Sequence, residues 1–395
     1  MPFVVYLLAL AVFAQGTSEF MLSGLLPGIA RDLQVSIPAT GLLTSAFAAG
    51  MVVGAPLMAV LSLRWSRQRA LLAFLVMFLA AHVAGAVTTS YGVLLGTRVV
   101  AALANAGFLA VAMATAVALA PPNAKGRATS VLLAGVTVAC VAGVPGGALL
   151  GELWGWRSAF WAVAVALVPA IIAVPRAVPR EHPATALIPT GAAGGGARGE
   201  LRALRTPRLL VLLLLGALVN GATFCAFTYL APLLTGDTGI DPSWMPLMLA
   251  LFGLGSFAGV SAGGRLADAR PVPLLVVGGV ALAAGWAAFA LTAGAPVPAI
   301  ALVFVQGALS FAVGSTLVSQ VLYAATGAPT LAGASATAAL NVGATLGPWL
   351  GGTAIGAGLG LRSPLWVSAL LVTAALVTAA TARAVRVKAG PVRTA

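Results

Sequence analysis

Two ionisable side chains, Glu19 and Arg98, lie deep inside otherwise apolar runs of this 395-residue chain. A charge at the centre of an isolated apolar helix in lipid costs about 2.5–3.5 kcal/mol or more, so each requires a partner or water. A buried carboxylate can take up and release a proton, with a nearby arginine modulating it. The same two charges can also form a structural ion pair that locks two helices, or share a water. At 1.5 Å per residue, Glu19 is about 16 Å in from the end of its run near Ala30, and Arg98 about 12 Å in from Ser90. Their runs enter from opposite faces, so the charges reach similar heights. We read them as a proton-coupling pair, Glu19 as carrier and Arg98 as modulator. His82, a lone histidine on an apolar face, reads as a hydrogen-bonded packing residue.

Little else in the chain could do covalent chemistry. It has no nucleophile with its base, no metal-ligand spacing and no Gly-x-x-x-x-Gly-Lys phosphate loop, which argues against an enzyme and against ATP-driven work. No cofactor and no metal are expected. Cys140 and Cys225 fall in apolar stretches and read as small packing residues rather than a disulfide.

The elements that must position Glu19 and Arg98 follow from composition. Hydrophobic residues make up 61% of the chain and charged residues 7%, where a soluble domain carries roughly a quarter charged. The fold class is therefore an all-α membrane protein. Apolar stretches of about 20 residues or more occur near 4–29, 38–62, 70–88, 91–119, 127–150 and 158–175. A second set follows near 208–234, 243–264, 272–293, 297–325, 331–355 and 364–382, giving twelve expected spans. The first reads as a membrane span and not a cleaved signal, because no basic segment precedes it. The net charge of +13 could suggest nucleic acid, but the basic residues sit in loops. Arg31, Arg157 and Arg362 alone fall on one side, and the remaining loop and tail cations on the other, which places both termini in the cytoplasm. Between the sets, residues 176–206 carry prolines, a glycine run and arginines. They read as a cytoplasmic linker, with a short surface helix near Glu200 to Leu204.

A shift of 205 residues lays the first half on the second. Pro27 falls on Pro232, Asp32 on Asp237, Gly50 and Gly54 on Gly255 and Gly259, and Arg157-Ser158-x-x-Trp161 on Arg362-Ser363-x-x-Trp366. The expectation is two pseudo-symmetric six-helix bundles, 1–175 and 207–395, meeting at a midplane cavity as secondary transporters do. Polar positions persist in both halves: Gln15 pairs with Asn220, Ser23 with Thr228 and Asn105 with Ser310. Glu19 and Arg98 fall on Phe224 and Val303, so charge is confined to the first half. Gln15, Glu19 and Ser23 share one helix face. With Asn105, Phe108, Asn220, Phe224, Phe227, Thr228, Gln306 and Ser310 they are the expected cavity lining. Such a lining, aromatic with a few amides and hydroxyls, suits an uncharged amphiphile.

Gly54 to Arg69 and its mate Gly259 to Arg270 resemble the loop motif between spans 2 and 3 of the major facilitator superfamily. Gly264, Leu266, Ala267 and Asp268 match the opening of that motif, whereas the first copy has Leu63 at the Asp position and keeps Arg64 and Arg67. The family's embedded span-4 arginine maps onto Arg98. Its span-5 motif, Gly-x-x-x-Gly-Pro-x-x-Gly-Gly, is degenerate at Gly143-Val144-Pro145-Gly146-Gly147 and complete at Gly343, Gly347, Pro348, Gly351 and Gly352. Close helix contact with a proline bend would allow a rocking interface, and the resemblance implies Arg64, Arg67, Pro145, Gly147, Asp268, Gly347 and Pro348 as the gating residues.

The stretches GTSEFMLSGLLPGIARDL, SYGVLLGTRVVAALANAGFLAVA and GSTLVSQVLYAATGAP are similar to those of the actinobacterial chloramphenicol exporters of the drug/proton antiporter group. That resemblance implies export of chloramphenicol or related amphiphilic drugs in exchange for protons, with export of an endogenous sugar or other small metabolite as the alternative. The expected partners are a small-molecule drug, protons and the lipid bilayer of the cytoplasmic membrane, with no nucleic acid and a monomeric chain.

Overall fold

The computed structural model describes residues 2–62, 65–121, 124–178, 206–325 and 329–388. The predicted surface helix at Glu200 to Leu204, and all of the linker between 179 and 205, lie outside the described residues.

Among these residues the chain is helical throughout, as lipid requires of a chain that must satisfy its own backbone groups. The first half runs α1 Phe3–Phe20, α2 Leu22–Leu33, α3 Ile37–Ser62, α4 Arg67–Val87, α5 Tyr91–Leu119, α6 Lys125–Val138, α7 Val144–Trp154 and α8 Trp156–Ala177. The second runs α9 Pro207–Thr228, α10 Leu230–Gly236, α11 Met245–Ala269, α12 Pro271–Thr292, α13 Pro296–Ala324, α14 Pro329–Ala354 and α15 Ser363–Lys388. Eleven helical stretches among the described residues are long and apolar enough to cross a membrane. The expected span at 331–355 forms α14, 26 residues long, but it is not among the eleven. Asn341 and its many Ala, Gly and Thr residues make it less apolar.

Several boundaries follow from local chemistry. The first expected span is broken at Met21, beyond which Pro27 lies inside α2. Proline has no N–H to give the turn before it and its ring crowds that carbonyl, so a bend near this point is required. Gln34 ends α2 in the left-handed region at φ 54°. At α4 the Ser66 hydroxyl accepts from the Arg69 N–H, satisfying one of the free donors of the first turn. Between α6 and α7, residues Ala139–Gly143 form a π turn. Pro145 follows two residues on, and it has no N–H to give the Val141 carbonyl within the turn.

The helices gather into two compact units, one of Met1–Ala192 with Phe227–Leu254 and one of Ala193–Ala226 with Gly255–Ala395. In the first, α3 packs along α5, α4 on α5 and α8, and α1 on α6 and α8. Its core holds Leu8, Phe47, Phe74, Phe78, Phe108 and Phe160. In the second, α12 packs on α13 and α15, and α14 on α15, with Trp286 and Phe289 buried. Exposed apolar side chains such as Val53, Val165, Val276 and Leu370 stud the helix faces, as contact with lipid tails demands.

Candidate functional site

Glu19 is the penultimate residue of α1, two positions before the break at Met21. It is half-buried and makes no hydrogen bond or ion pair among the described residues. Arg98, on α5, is 1% exposed and interacts electrostatically with Glu19. Its hydrogen bonds go elsewhere. Nη1 donates to the Ser18 hydroxyl at 2.8 Å and Nη2 to the Ser18 carbonyl at 2.9 Å, and the guanidinium lies 4.4 Å from the centre of the Phe47 ring.

The expectation of similar heights is met, since Arg98 bonds the residue beside Glu19. The two charges nevertheless form no direct ion pair. A serine offering both hydroxyl and carbonyl oxygens satisfies two of the five guanidinium donors in a fixed fork, and an aromatic face takes part of the remaining charge. The arrangement leaves a carboxylate that can gain and lose a proton without breaking a salt bridge. A permanent cation stands nearby throughout.

Other predicted lining residues divide between the units. In the first, both amide atoms of Gln15 are buried without a partner, as is the Thr228 hydroxyl. Ser23 donates to the Phe20 carbonyl at 3.1 Å, Asn105 Nδ2 meets the Met51 sulfur at 3.4 Å, and Phe227 packs on Phe252 with centroids 4.7 Å apart. Phe108 is fully buried in the apolar core of its unit. In the second, Asn220 donates to the Leu340 carbonyl at 2.7 Å and Gln306 Nε2 to the Leu282 carbonyl at 3.1 Å. Gln306 Oε1 and the Ser310 hydroxyl are buried without partners; Phe224 is buried. Buried polar atoms of this kind are what a polar ligand group can pair with, and each costs about 1–3 kcal/mol while unpaired.

Of the predicted gating residues, Arg67 opens α4 and Pro145 follows the π turn. A side chain at Gly147 would come within 3.1 Å of Met21 Cβ, and one at Gly347 would strike the Gly221 carbonyl. Pro348 lies inside α14. Arg64 and the side chain of Asp268 lie outside the described residues.

Sequence reasoning missed Ser18, Phe47, Thr44 and Ser45. Ser18 stands beside the acid in the Thr17-Ser18-Glu19 run, but attention to the four-residue spacing of Gln15, Glu19 and Ser23 passes over it. The hydroxyls of Thr44 and Ser45 on α3 are buried without partners; nothing in the sequence distinguished them from packing residues. A further tie joins α2 to α8: Asp32 pairs with Arg157 and accepts from Trp156 Nε1 at 3.0 Å. Arg157 also donates to the Thr88 carbonyl at 2.8 Å. These donors, Arg157 before Trp156, hold the Asp32 carboxyl below its ordinary value of 3.8.

Known proteins match the chain along most of its length. The sequence model of the Major Facilitator Superfamily matches residues 8–339. A chloramphenicol resistance protein of Streptomyces lividans is 58% identical over 373 residues, covering 94% of each chain. An inner membrane transport protein, YdhP, of Escherichia coli strain K12 is 34% identical over 357 residues, covering 89% of each. Among solved structures, a bacterial homologue of the human lysosomal transporter Spinster, in an inward-facing and occupied conformation, superposes with a TM-score of 0.76. It is 18% identical, with 95% of both chains covered, and so speaks to the fold alone.

Proposed function

From the premise that this chain belongs to the major facilitator superfamily, a family of multi-pass membrane transporters and not of enzymes, we propose that it exports chloramphenicol or related amphiphilic drugs in exchange for protons. The observation that carries the substrate class is the 58% identity to the Streptomyces lividans chloramphenicol resistance protein. The half-buried, unpaired Glu19 beside a clamped Arg98 supports proton coupling.

In this reading Glu19 carries the proton and drug binding displaces it. Arg98 supplies a fixed positive field at the same level. The unpartnered amide of Gln15 and the hydroxyl of Thr228 meet the amide and hydroxyl groups of the drug, and Phe227 its ring. Alternating access about the repeat axis moves the site from one face to the other. The chain works as a monomer in the cytoplasmic membrane with both termini inside.

The test is drug-driven proton movement in everted membrane vesicles. Chloramphenicol added to vesicles holding a preformed pH gradient should dissipate it, and Glu19→Gln should abolish that response while retaining drug binding. A wild-type protein that leaves the gradient unchanged, or a Glu19→Gln variant with full coupled export, overturns the reading.

A further inference from the structure

His82 has no part in the mechanism above, yet it ends a buried hydrogen-bond chain that reaches Arg98. The ring is 1% exposed, stacked on Phe78 with centroids 4.3 Å apart and tilted against Phe160 at 5.6 Å. Nδ1 lies 2.9 Å from the Phe78 carbonyl and Nε2 2.6 Å from the Ser18 hydroxyl. The polarity of this chain is forced from both ends. The Phe78 carbonyl can only accept, so Nδ1 carries the proton and Nε2 of the neutral ring is an acceptor. The Ser18 hydroxyl therefore donates to Nε2 and turns its lone pairs to Arg98 Nη1, which can only donate. A protonated ring would set two donors on one serine oxygen beside a permanent guanidinium.

We propose that His82 is a positioning residue: acting through Ser18, it holds Arg98 off Glu19 and so keeps the carboxylate free to exchange a proton. The proposal rests on Glu19 being the proton carrier. Among the described residues, the charged group acting on His82 is Arg98 of α5. The helix α8 meets His82 with Phe160 and α1 meets it with Ser18. On Glu19 the acting charge is Arg98, and Cys140 of the π turn is the other titratable group in its electrostatic reach. Loss of the Ser18 hydroxyl leaves Nη2 on the Ser18 carbonyl but frees Nη1 one residue from the carboxylate, and a direct ion pair then favours the ionised acid.

The experiment measures chloramphenicol-driven proton release against pH for wild type, Ser18→Ala, His82→Phe and His82→Gln. Ser18→Ala and His82→Phe should move the midpoint to lower pH by about one unit or more. His82→Gln, whose amide oxygen can accept from Ser18, should stay near wild type. Unmoved midpoints in folded Ser18→Ala and His82→Phe overturn the proposal. Nitrogen-15 NMR of histidine-labelled protein decides it without transport, with the second of the two histidines removed as His182→Gln. His82 should remain neutral, with the proton on Nδ1, from pH 5 to pH 8; a charged ring or a proton on Nε2 overturns the clamp. Should wild type release no proton while the NMR signature holds, the transport reading fails and the clamp stands.

Discussion

Arg98 spends two of its donors on Ser18, the residue immediately before Glu19. A cation and an acid thus share a level of the bundle without sharing a bond. That separation governs what substitutions here should do.

Arg98→Ala removes both bonds and leaves the Ser18 oxygens and the Phe47 face without their partner in a buried site. We expect a loss of about 3 kcal/mol or more, read as a lowered midpoint of thermal unfolding in detergent. Arg98→Lys restores the charge but has no planar fork, so it should recover only part of that stability.

Gln15 offers a way to separate ligand binding from folding. Both of its amide atoms are buried and unpaired, so Gln15→Leu should raise stability by about 1–3 kcal/mol while weakening chloramphenicol binding. Equilibrium binding and thermal unfolding on the same preparation give both numbers. A variant that binds the drug as wild type does removes Gln15 from the site.

Asp32→Asn should cost no more than about 0.5–1 kcal/mol, because the side chains of the pair, Arg157 and Asp32, are 30% and 44% exposed to water. The Asp32 carboxyl is held below its ordinary value of 3.8. Its contribution is therefore complete above about pH 5 and fades as pH falls through the depressed value. Wild type and variant should converge in acid, which unfolding curves from pH 3 to pH 7 would show.

Two glycines of the second unit should differ in their tolerance of a methyl group. At Gly347 an added carbon would strike the Gly221 carbonyl, whereas at Gly314 it would meet nothing within 4 Å. Gly347→Ala should displace α9 from α14 and lower both expression and transport. Gly314→Ala should change stability by no more than about 0.5 kcal/mol.

The helices were legible because apolar length is a one-dimensional quantity. Residue counting also put Glu19 and Arg98 at one height, which the bond from Arg98 to Ser18 bears out. The identity of Arg98's partner was not legible, because a hydroxyl and a carbonyl leave no charge pattern to read. At the symmetric position Thr223 bonds back to its own helix at the Val219 carbonyl; in that half Val303 stands where the arginine would be. The same side-chain chemistry clamps a cation in one half and caps a backbone carbonyl in the other. What distinguishes them is the cation itself, Arg98 in one half and Val303 in the other. Span 331–355 looked like its neighbours by length, and its polarity was diluted among small residues.

The π turn at Ala139–Gly143 has a consequence for how α6 and α7 may be compared with other chains. A π turn holds one residue more than the α-helical turn it replaces, so side chains beyond it are about 100° out of phase with those before it. A single helical wheel drawn through 125–154 rotates Val144–Trp154 by about that angle from where they lie. One residue deleted within the turn would restore an ordinary helix while leaving both flanking faces where they are. The π turn is therefore the place in this span where one residue can be lost without rotating either flanking helix.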